Sequence, residues 1–541
     1  MSIDDIYSYL PFNESIRNTL KELEQRIEEA IVVPNEVMVD VLDYCKEKGK
    51  TILITTDMYL PRATIESILK KNCISYDFIF LSNEIGETKL SGKLFPHLLV
   101  KLGIEANRII HIGDNPVSDI QRASEAGISS CLREKKDIAH TGHYSLKQND
   151  IFSNHISKYL EYKMSSRNKD VFYEIGYTVL GPILFELSEY IEYYRKKEGI
   201  QELAFVAREG FMLKKAYDML YGKQRSRYVR INKNVLRFPS LHLNQSVDTF
   251  LDTIPSSHIY SWNTLLNYFP GSNFIPEDSN QEIKRNDILK GVYLEEFEGM
   301  LSQFNNQFKE QFDLLTRYLD QNNLLNKKVL LVNNSINGNG QSMLAKLCDC
   351  AGIQIELLGL QMVRSSKCRM KLGNCVKAYF EDKKMPMFYS SMFDYCTLLF
   401  EHLLFEDSGT AVELVNSDPV SVLCEPIGDE ACNRDPIGRI QEAALEFIAE
   451  YKSCSIPIGK SAIYSFFDLF MRPSKEEVEA MKTIVDKEAD TIEPLITRMK
   501  WHQAEMVLNR QNVSGYNRKL IIKSIIKSAL DKLGLLNYII K

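Results

Sequence analysis

Apolar positions recur at helical spacing through the first thirty residues and then give way to short unbroken runs. Ile16, Leu20, Leu23, Ile27 and Ile31 predict an amphipathic helix over Ser15–Ile31. A second helix is expected after Pro34-Asn35, ending at Gly49, where a left-handed cap suits glycine. Four apolar runs follow: Thr51–Thr55, Phe78–Leu81, Arg108–Ile112 and Ser129–Leu132. Each is short enough to be a strand buried on both faces. Helical patterns near Arg62–Lys71, Leu94–Leu102 and Val117–Ala126 separate them. Such alternation predicts a parallel sheet with helices on both sides.

The polar stretch Arg133 to Asp150 leaves this domain, and a long helical pattern, Val171–Lys197, follows with Gly181-Pro182 interrupting it. A second strand-turn-helix then opens: Glu202–Ala207, Arg208-Glu209-Gly210, and a helix through Leu220. Arg227–Ile231 is a further candidate strand, and residues 246–326 read as mostly helical and polar. Alternation resumes at Lys328–Asn333, a glycine-rich turn, a helix through Cys350 and a strand Gln354–Val363. Beyond about Ser390 the patterns are mainly helical, and the basic tail Arg518–Lys541 reads as one or two amphipathic helices. The expected division is an α/β domain over 1–140 with helices at its start, a helical connector over 141–200, a second α/β domain over 201–390 and a mainly helical region over 391–541.

Composition narrows the function classes without choosing one. A chain of 541 residues is too long for one compact domain. A net charge of -6 gives no general reason to expect nucleic acid or an anionic membrane as partner. No apolar run reaches the length of a membrane span, and Met1-Ser2-Ile3-Asp4-Asp5 lacks the features of a signal peptide, so a cytoplasmic location is expected. Of eleven cysteines, Cys348 and Cys350 form a lone Cys-x-Cys with no second pair at zinc spacing, so reduced thiols are expected.

In open α/β sheets, sites form at the carboxyl ends of strands. Thr56 ends the first predicted strand, where a hydroxyl and a backbone N–H suit a phosphoryl oxygen. Lys89 follows the second, where an ammonium would neutralise phosphate and nucleophile. Asp114 and Asp119 follow the third, and clustered carboxylates suit Mg²⁺ shared with a substrate phosphate. Taken singly, each has an ordinary structural role: a strand-end hydroxyl, a solvated lysine, a turn, a helix cap. Together, Ile52-Leu-Ile-Thr-Thr-Asp-Met-Tyr-Leu60, Lys89-Leu-Ser-Gly-Lys-Leu-Phe95 and His111-Ile-Gly-Asp-Asn-Pro-Val-Ser-Asp119 resemble motifs II, III and IV of the haloacid dehalogenase-like (HAD) hydrolases. The resemblance implies a Rossmann-like parallel sheet, phosphate binding by Thr56 and Lys89 (chosen over Lys93 for its spacing to Phe95), and Mg²⁺ held with Asp114 and Asp119.

It also implies a motif I strand, central in the sheet, carrying a nucleophilic aspartate and a second acid two residues on. No apolar run with Asp-x-Asp precedes Thr51. Asp4-Asp5 follows no strand, Asp40 and Asp43 lie in a helical pattern, and Phe466-Phe467-Asp468-Leu469-Phe470 reads as core packing. Phosphoaspartyl catalysis is therefore expected to be absent. Losing a central strand leaves backbone groups unpaired on both neighbours, so either another segment fills the gap or the sequence is an N-terminally truncated version of a longer protein.

In the second α/β domain, Arg208 and Glu209 stand at a strand-to-helix turn suited to phosphate or carboxylate. Val332 to Ser342 forms a glycine-rich turn that is neither a P-loop nor a Rossmann fingerprint. With the segments around Tyr173–Tyr177 and Gly181-Pro182, these loops resemble large HAD-like proteins of bacterial glycan and capsule gene clusters. Arg208, Glu209, Gly210, Gly338 and Gln341 fit their pattern, whereas Asn333 and Ser335 stand where aspartate and glycine are expected. The ligand set implied is Arg208, Glu209, Gly338 and Gln341; two ordinary βα turns are the alternative. Four functions stay open: a HAD-like protein of surface-polysaccharide metabolism without its nucleophile, a truncated Mg²⁺-dependent phosphohydrolase of a sugar phosphate, a second domain that binds or transfers a phosphate- or nucleotide-linked sugar, or an interaction or assembly protein. The expected partner is a phosphorylated small molecule or sugar.

Overall fold

The computed structural model describes residues 2–133 and 151–495, apart from 33, 166, 168, 256, 335, 455, 489 and 490. The expectations for residues 134–150 and for the basic tail lie outside the described residues. The described chain forms two compact units, one of residues up to 133 with 158–167, the other of the rest.

In the first unit, helices Glu14–Ile31 and Glu36–Glu47 form where periodicity places them, started by Asn13 and Asn35 side chains that accept from Ile16 and Met38 N–H. Gly49, at φ +63°, ends the second turn. Strand β1 (Leu53–Thr56) pairs in parallel with β2 (Phe78–Leu81) from Leu53↔Phe78 to Thr56↔Leu81. Strand β3 (Ile110–Gly113) pairs in parallel with β4 (Ser129–Leu132). The sheet does not run on between them: among the described residues no strand joins β1 to β3. The expectation of strands buried on both faces fails accordingly. Ile110 is 71% exposed, Ile112 38% and Phe78 46%, because each half-sheet lacks a neighbour to cover it. The apolar stripe of Glu14–Ile31 is likewise half exposed at Ile16, Leu23 and Ile27.

The second unit is built on a five-stranded parallel sheet. Its strands are β5 (Glu202–Val206), β6 (Ser226–Val229), β9 (Lys328–Val332), β10 (Glu356–Gln361) and β11 (Val376–Ala378), in spatial order β11-β10-β9-β5-β6. Every residue of β5 is buried, as a central parallel strand requires. From β5 the chain runs outward to β6 on one side, then returns to build β9, β10 and β11 on the other. Order reverses between β5 and β9, the position where open α/β sheets place ligands.

Residues 246–326 are mainly helical, as expected, but not polar inside. They include the antiparallel pair β7 (Ile259–Ser261) and β8 (Glu282–Lys284), around an aromatic core of Phe250, Trp262, Phe269, Phe297, Phe304 and Phe308. Their polar residues occupy the solvent faces of short helices, which masked that core in the sequence. Beyond residue 390 the described residues are mainly helical, and two hairpins occur among them: β12 (Ala411–Val415) with β13 (Ser421–Cys424), and β14 (Val485–Glu488) with β15 (Thr491–Pro494).

Gly181-Pro182 does not interrupt the chain. Helix Val171–Ile175, a π turn Gly176–Leu180 and helix Gly181–Lys197 run on, with Gly181 in ordinary helical backbone. The π turn widens the ladder just before Pro182, which has no N–H to give. Both glycines serve close approach to helix Arg434–Tyr451. A Cβ at Gly176 would sit 2.1 Å from the Ile440 carbonyl oxygen, and one at Gly181 would sit 2.7 Å from Phe447 Cβ. Gly176→Ala is therefore expected to force these helices apart and destabilise the second unit by about 1–3 kcal/mol. Chemical denaturation of the full chain, followed by circular dichroism, measures it; an unchanged midpoint would refute the contact.

Candidate functional site

In the first unit, Thr56 ends β1 and its hydroxyl accepts from Met58 N–H at 3.2 Å. Next to it, Asp57 holds the loop after β2: its carboxylate accepts from Lys89 N–H at 2.9 and 3.1 Å and from Leu90 N–H at 3.4 Å. This role for Asp57 was not read from the sequence. The signal was an acid directly after a strand end, but its partners are backbone groups far along the chain.

That loop delivers Lys89 Nζ to Asp119 Oδ1 at 2.6 Å. Asp119 is buried, and its carboxylate has three donors or near-donors: Lys89, His111 Nε2 at 3.1 Å on the same oxygen, and Asn115 N–H to Oδ2 at 3.0 Å. Burial pushes its carboxyl up, but these bonds outweigh burial and hold it below the usual carboxylate range. Burial holds the His111 imidazole below its ordinary value, with Asp119 opposing. Gly113 makes the arrangement possible, since a Cβ there would lie 2.3 Å from Asp119 Cγ. Asn115 turns the chain, accepting from Val117 and Ser118 N–H, and the expected helix begins as a π turn, Pro116–Gln121.

The structure thus brings Lys89 and Asp119 together and places Thr56 at the end of β1. It sets Asp114 3.9 Å from Arg133. Lys93 is exposed and faces Glu87 at 3.5 Å. Besides the Lys89–Asp119 pair, Arg122 Nε donates to the Leu90 carbonyl at 3.1 Å, and Phe95 meets His111 edge-on with centroids 5.0 Å apart. Side chains, not backbone ladders, connect the two half-sheets. Asp114 and Asp119 belong to no group of three metal-ligating side chains among the described residues.

In the second unit, the loops after β5 and β9 flank the reversal of strand order. Arg208 follows β5 and stacks its guanidinium 3.9 Å from the Phe405 ring centroid. Burial pushes the Glu209 carboxyl up, with backbone hydrogen bonds and Arg208 opposing. Glu401, on helix Met387–Leu404, is pushed up to about 8 by burial and by the charges of Glu209 and Asp486, against Arg208 and Asn334. The sequence reading missed Glu401, which comes from a helix almost two hundred residues after Arg208 and carries no motif.

The loop after β9 is pinned by Ser365, whose N–H donates to the Ile336 carbonyl at 3.0 Å and whose Oγ donates to Asn337 at 2.8 Å. Gly338 turns it at φ +61°, where a Cβ would lie 2.7 Å from Leu372. Gln341 is buried under β10, with Oε1 only 2.0 Å from where a Cβ on Gly359 would be. Among the described residues, three buried amide atoms here find no hydrogen-bond partner: Asn334 Oδ1, Gln341 Nε2 and Gln361 Nε2. Each is the kind of group that buried surfaces otherwise pair, at about 1–3 kcal/mol when left unsatisfied. The aromatic segment around Asp468 lies in helix Ser461–Met471, buried, with Asp468 paired to Arg472.

Residues 1–132 match the profile of the family described as haloacid dehalogenase-like hydrolase, so the N-terminal part of the chain is a HAD-like domain. No curated protein matches the chain.

Lys89→Ala should leave Asp119 buried without its ammonium, at the low end of about 3–5 kcal/mol, since Lys89 keeps some solvent access. Hydrogen exchange across 108–121 is expected to accelerate in the variant; unchanged protection would show that the pair is idle. A carboxyl held below its unfolded value stabilises at every pH above that value. The same segment should therefore loosen only in acid, as pH falls through the folded-state value of Asp119.

Proposed function

We propose that the HAD-like hydrolase domain presents the phosphate-handling half of an active site, and that the nucleophile is not supplied by these 541 residues. The observation that carries this reading is the divided sheet. Thr56 at the end of β1 and Lys89 beyond β2 stand on one side of a break and Asp119 in the turn beyond β3 on the other, and the break falls where the family resemblance implies the nucleophile-bearing strand. Lys89 supplies positive charge beside a phosphoryl group, Thr56 its hydroxyl, and Asp119 positions the lysine.

HAD-family hydrolases generally use Mg²⁺. The residues present do not make that site by themselves. Asp119 is committed to Lys89, His111 and the Asn115 N–H, which leaves Asp114 as the remaining carboxylate of the pair. What these residues do unaided is hold a phosphorylated ligand weakly.

The second unit supports a second reading, a site for a phosphate- or nucleotide-linked sugar between β5 and β9. Arg208 offers a fixed cation, and the amides of Asn334, Gln341 and Gln361 offer hydrogen-bonding groups to sugar hydroxyls. A role in surface-polysaccharide metabolism rests on the resemblance of its two loops to the glycan-cluster proteins.

Purified chain is expected to show no Mg²⁺-dependent hydrolysis of sugar phosphates. Fusing an apolar strand ending in Asp-x-Asp before Ser2 should create it, and Lys89→Ala should then abolish it. Turnover by the unfused chain would overturn the reading. In calorimetry with UDP-glucose and glucose 1-phosphate, Arg208→Ala should weaken binding at least tenfold, while Asp114→Ala should not. Loss confined to Asp114→Ala would place the ligand in the first unit.

A further inference from the structure

Outside the loops described above, the second unit draws together three side chains with metal-ligating atoms: His402, Glu430 and Asp486, all within 4.8 Å of one another. They come from three separate elements. His402 is on helix Met387–Leu404, Glu430 on the 3₁₀ turn Gly428–Asn433, and Asp486 on β14.

The decisive atom is His402 Nε2. The residue is 4% exposed, and Nδ1 lies 2.9 Å from the Leu398 carbonyl oxygen. A carbonyl can only accept, so Nδ1 carries a proton, and in the neutral ring Nε2 presents its lone pair. Among the described residues that lone pair accepts no hydrogen bond, although Asp486 Oδ1 is 3.3 Å away. Two electron-rich atoms facing each other in a buried space repel unless a metal ion or a proton lies between them. A histidine whose other nitrogen is tied to a backbone carbonyl is also the usual form of a metal-bound one.

The surroundings hold the three ligands in place. Asn433 donates from its amide to the Val485 carbonyl at 2.7 Å and accepts from Val485 N–H at 2.8 Å, clamping the Asp486 strand to the Glu430 turn. Gln441 donates to the Leu403 and Phe405 carbonyls at 3.2 and 2.8 Å, fixing the end of the helix that bears His402.

We propose that His402, Glu430 and Asp486 bind one divalent first-row transition-metal ion. One imidazole nitrogen with two carboxylates is unlike the all-oxygen shells of Ca²⁺ and Mg²⁺, and it suits Zn²⁺ or Mn²⁺. The two carboxylates match the charge of a divalent ion. Three protein ligands leave a position for water or substrate, as in open zinc sites. Bonds of about 2.0–2.2 Å require only a small closing movement of the three side chains. The inference stands apart from the function proposed above, since it needs neither the HAD-like domain nor a sugar ligand.

The test is titration of the chelator-stripped full chain with ZnCl₂ or MnCl₂ alone, followed by calorimetry. One ion per chain is expected, with affinity lowered at least tenfold in His402→Ala. Glu430 is half-buried, so Glu430→Gln provides a second variant with its fold checked by circular dichroism, and the same weakening is expected. Substituted Co²⁺ should show ligand-field bands without a thiolate charge-transfer band, which separates this site from the cysteines. Absence of binding, which would mean that a shared proton joins His402 to Asp486, overturns the proposal. So does a thiolate band, or binding that a folded Glu430→Gln leaves unchanged.

Discussion

A parallel strand must find partners for its N–H and C=O groups on both sides or leave them to solvent, and this constraint organises the first unit. Among the described residues β1 pairs only with β2 and β3 only with β4, so their backbone supplies no continuous sheet. Cohesion passes to side chains: the Lys89–Asp119 pair, Arg122 on the Leu90 carbonyl, and Phe95 against His111. The small core of Phe95, Ala123 and Ile128 adds to them on one side. The groups that the HAD resemblance assigns to chemistry are thus also the ones that keep the fold together.

The second unit solves the same problem in the ordinary way. Its five strands are continuous, and β5 and β9 are buried almost throughout. Stability of this kind lets polar groups be spent at the carboxyl ends of the strands. Glu209, Glu401, Asn334 and Gln341 occupy that end, buried or half-buried, where a less complete sheet would not sustain them.

Much of this was legible in the sequence because it was local. Strands β2 and β4 and helices Arg62–Lys71 and Leu94–Leu102 fall at the residues predicted, since apolar runs and cap residues act over a few positions. The order of Thr56, Lys89, Asp114 and Asp119 along the chain revealed the HAD-like domain, as the family match over 1–132 bears out. What stayed hidden was long-range. Asp57 binds backbone thirty residues away, Glu401 reaches a loop almost two hundred residues earlier, and the aromatic core of 246–326 is dispersed among polar helix faces. The continuity through Gly181-Pro182 depends on a π turn that no periodicity announces.

The two sheets also differ in when they can form. In the first unit each strand pairs with its next neighbour in sequence, so each half closes a short loop. In the second, Glu202 of β5 must wait for Val329 of β9. Closing so long a loop carries a conformational penalty that is met before any ladder bond repays it. During synthesis β5 and β6 therefore emerge as a partial sheet with one apolar flank uncovered, and they depend on the intervening aromatic subdomain folding on its own schedule before the central strand arrives.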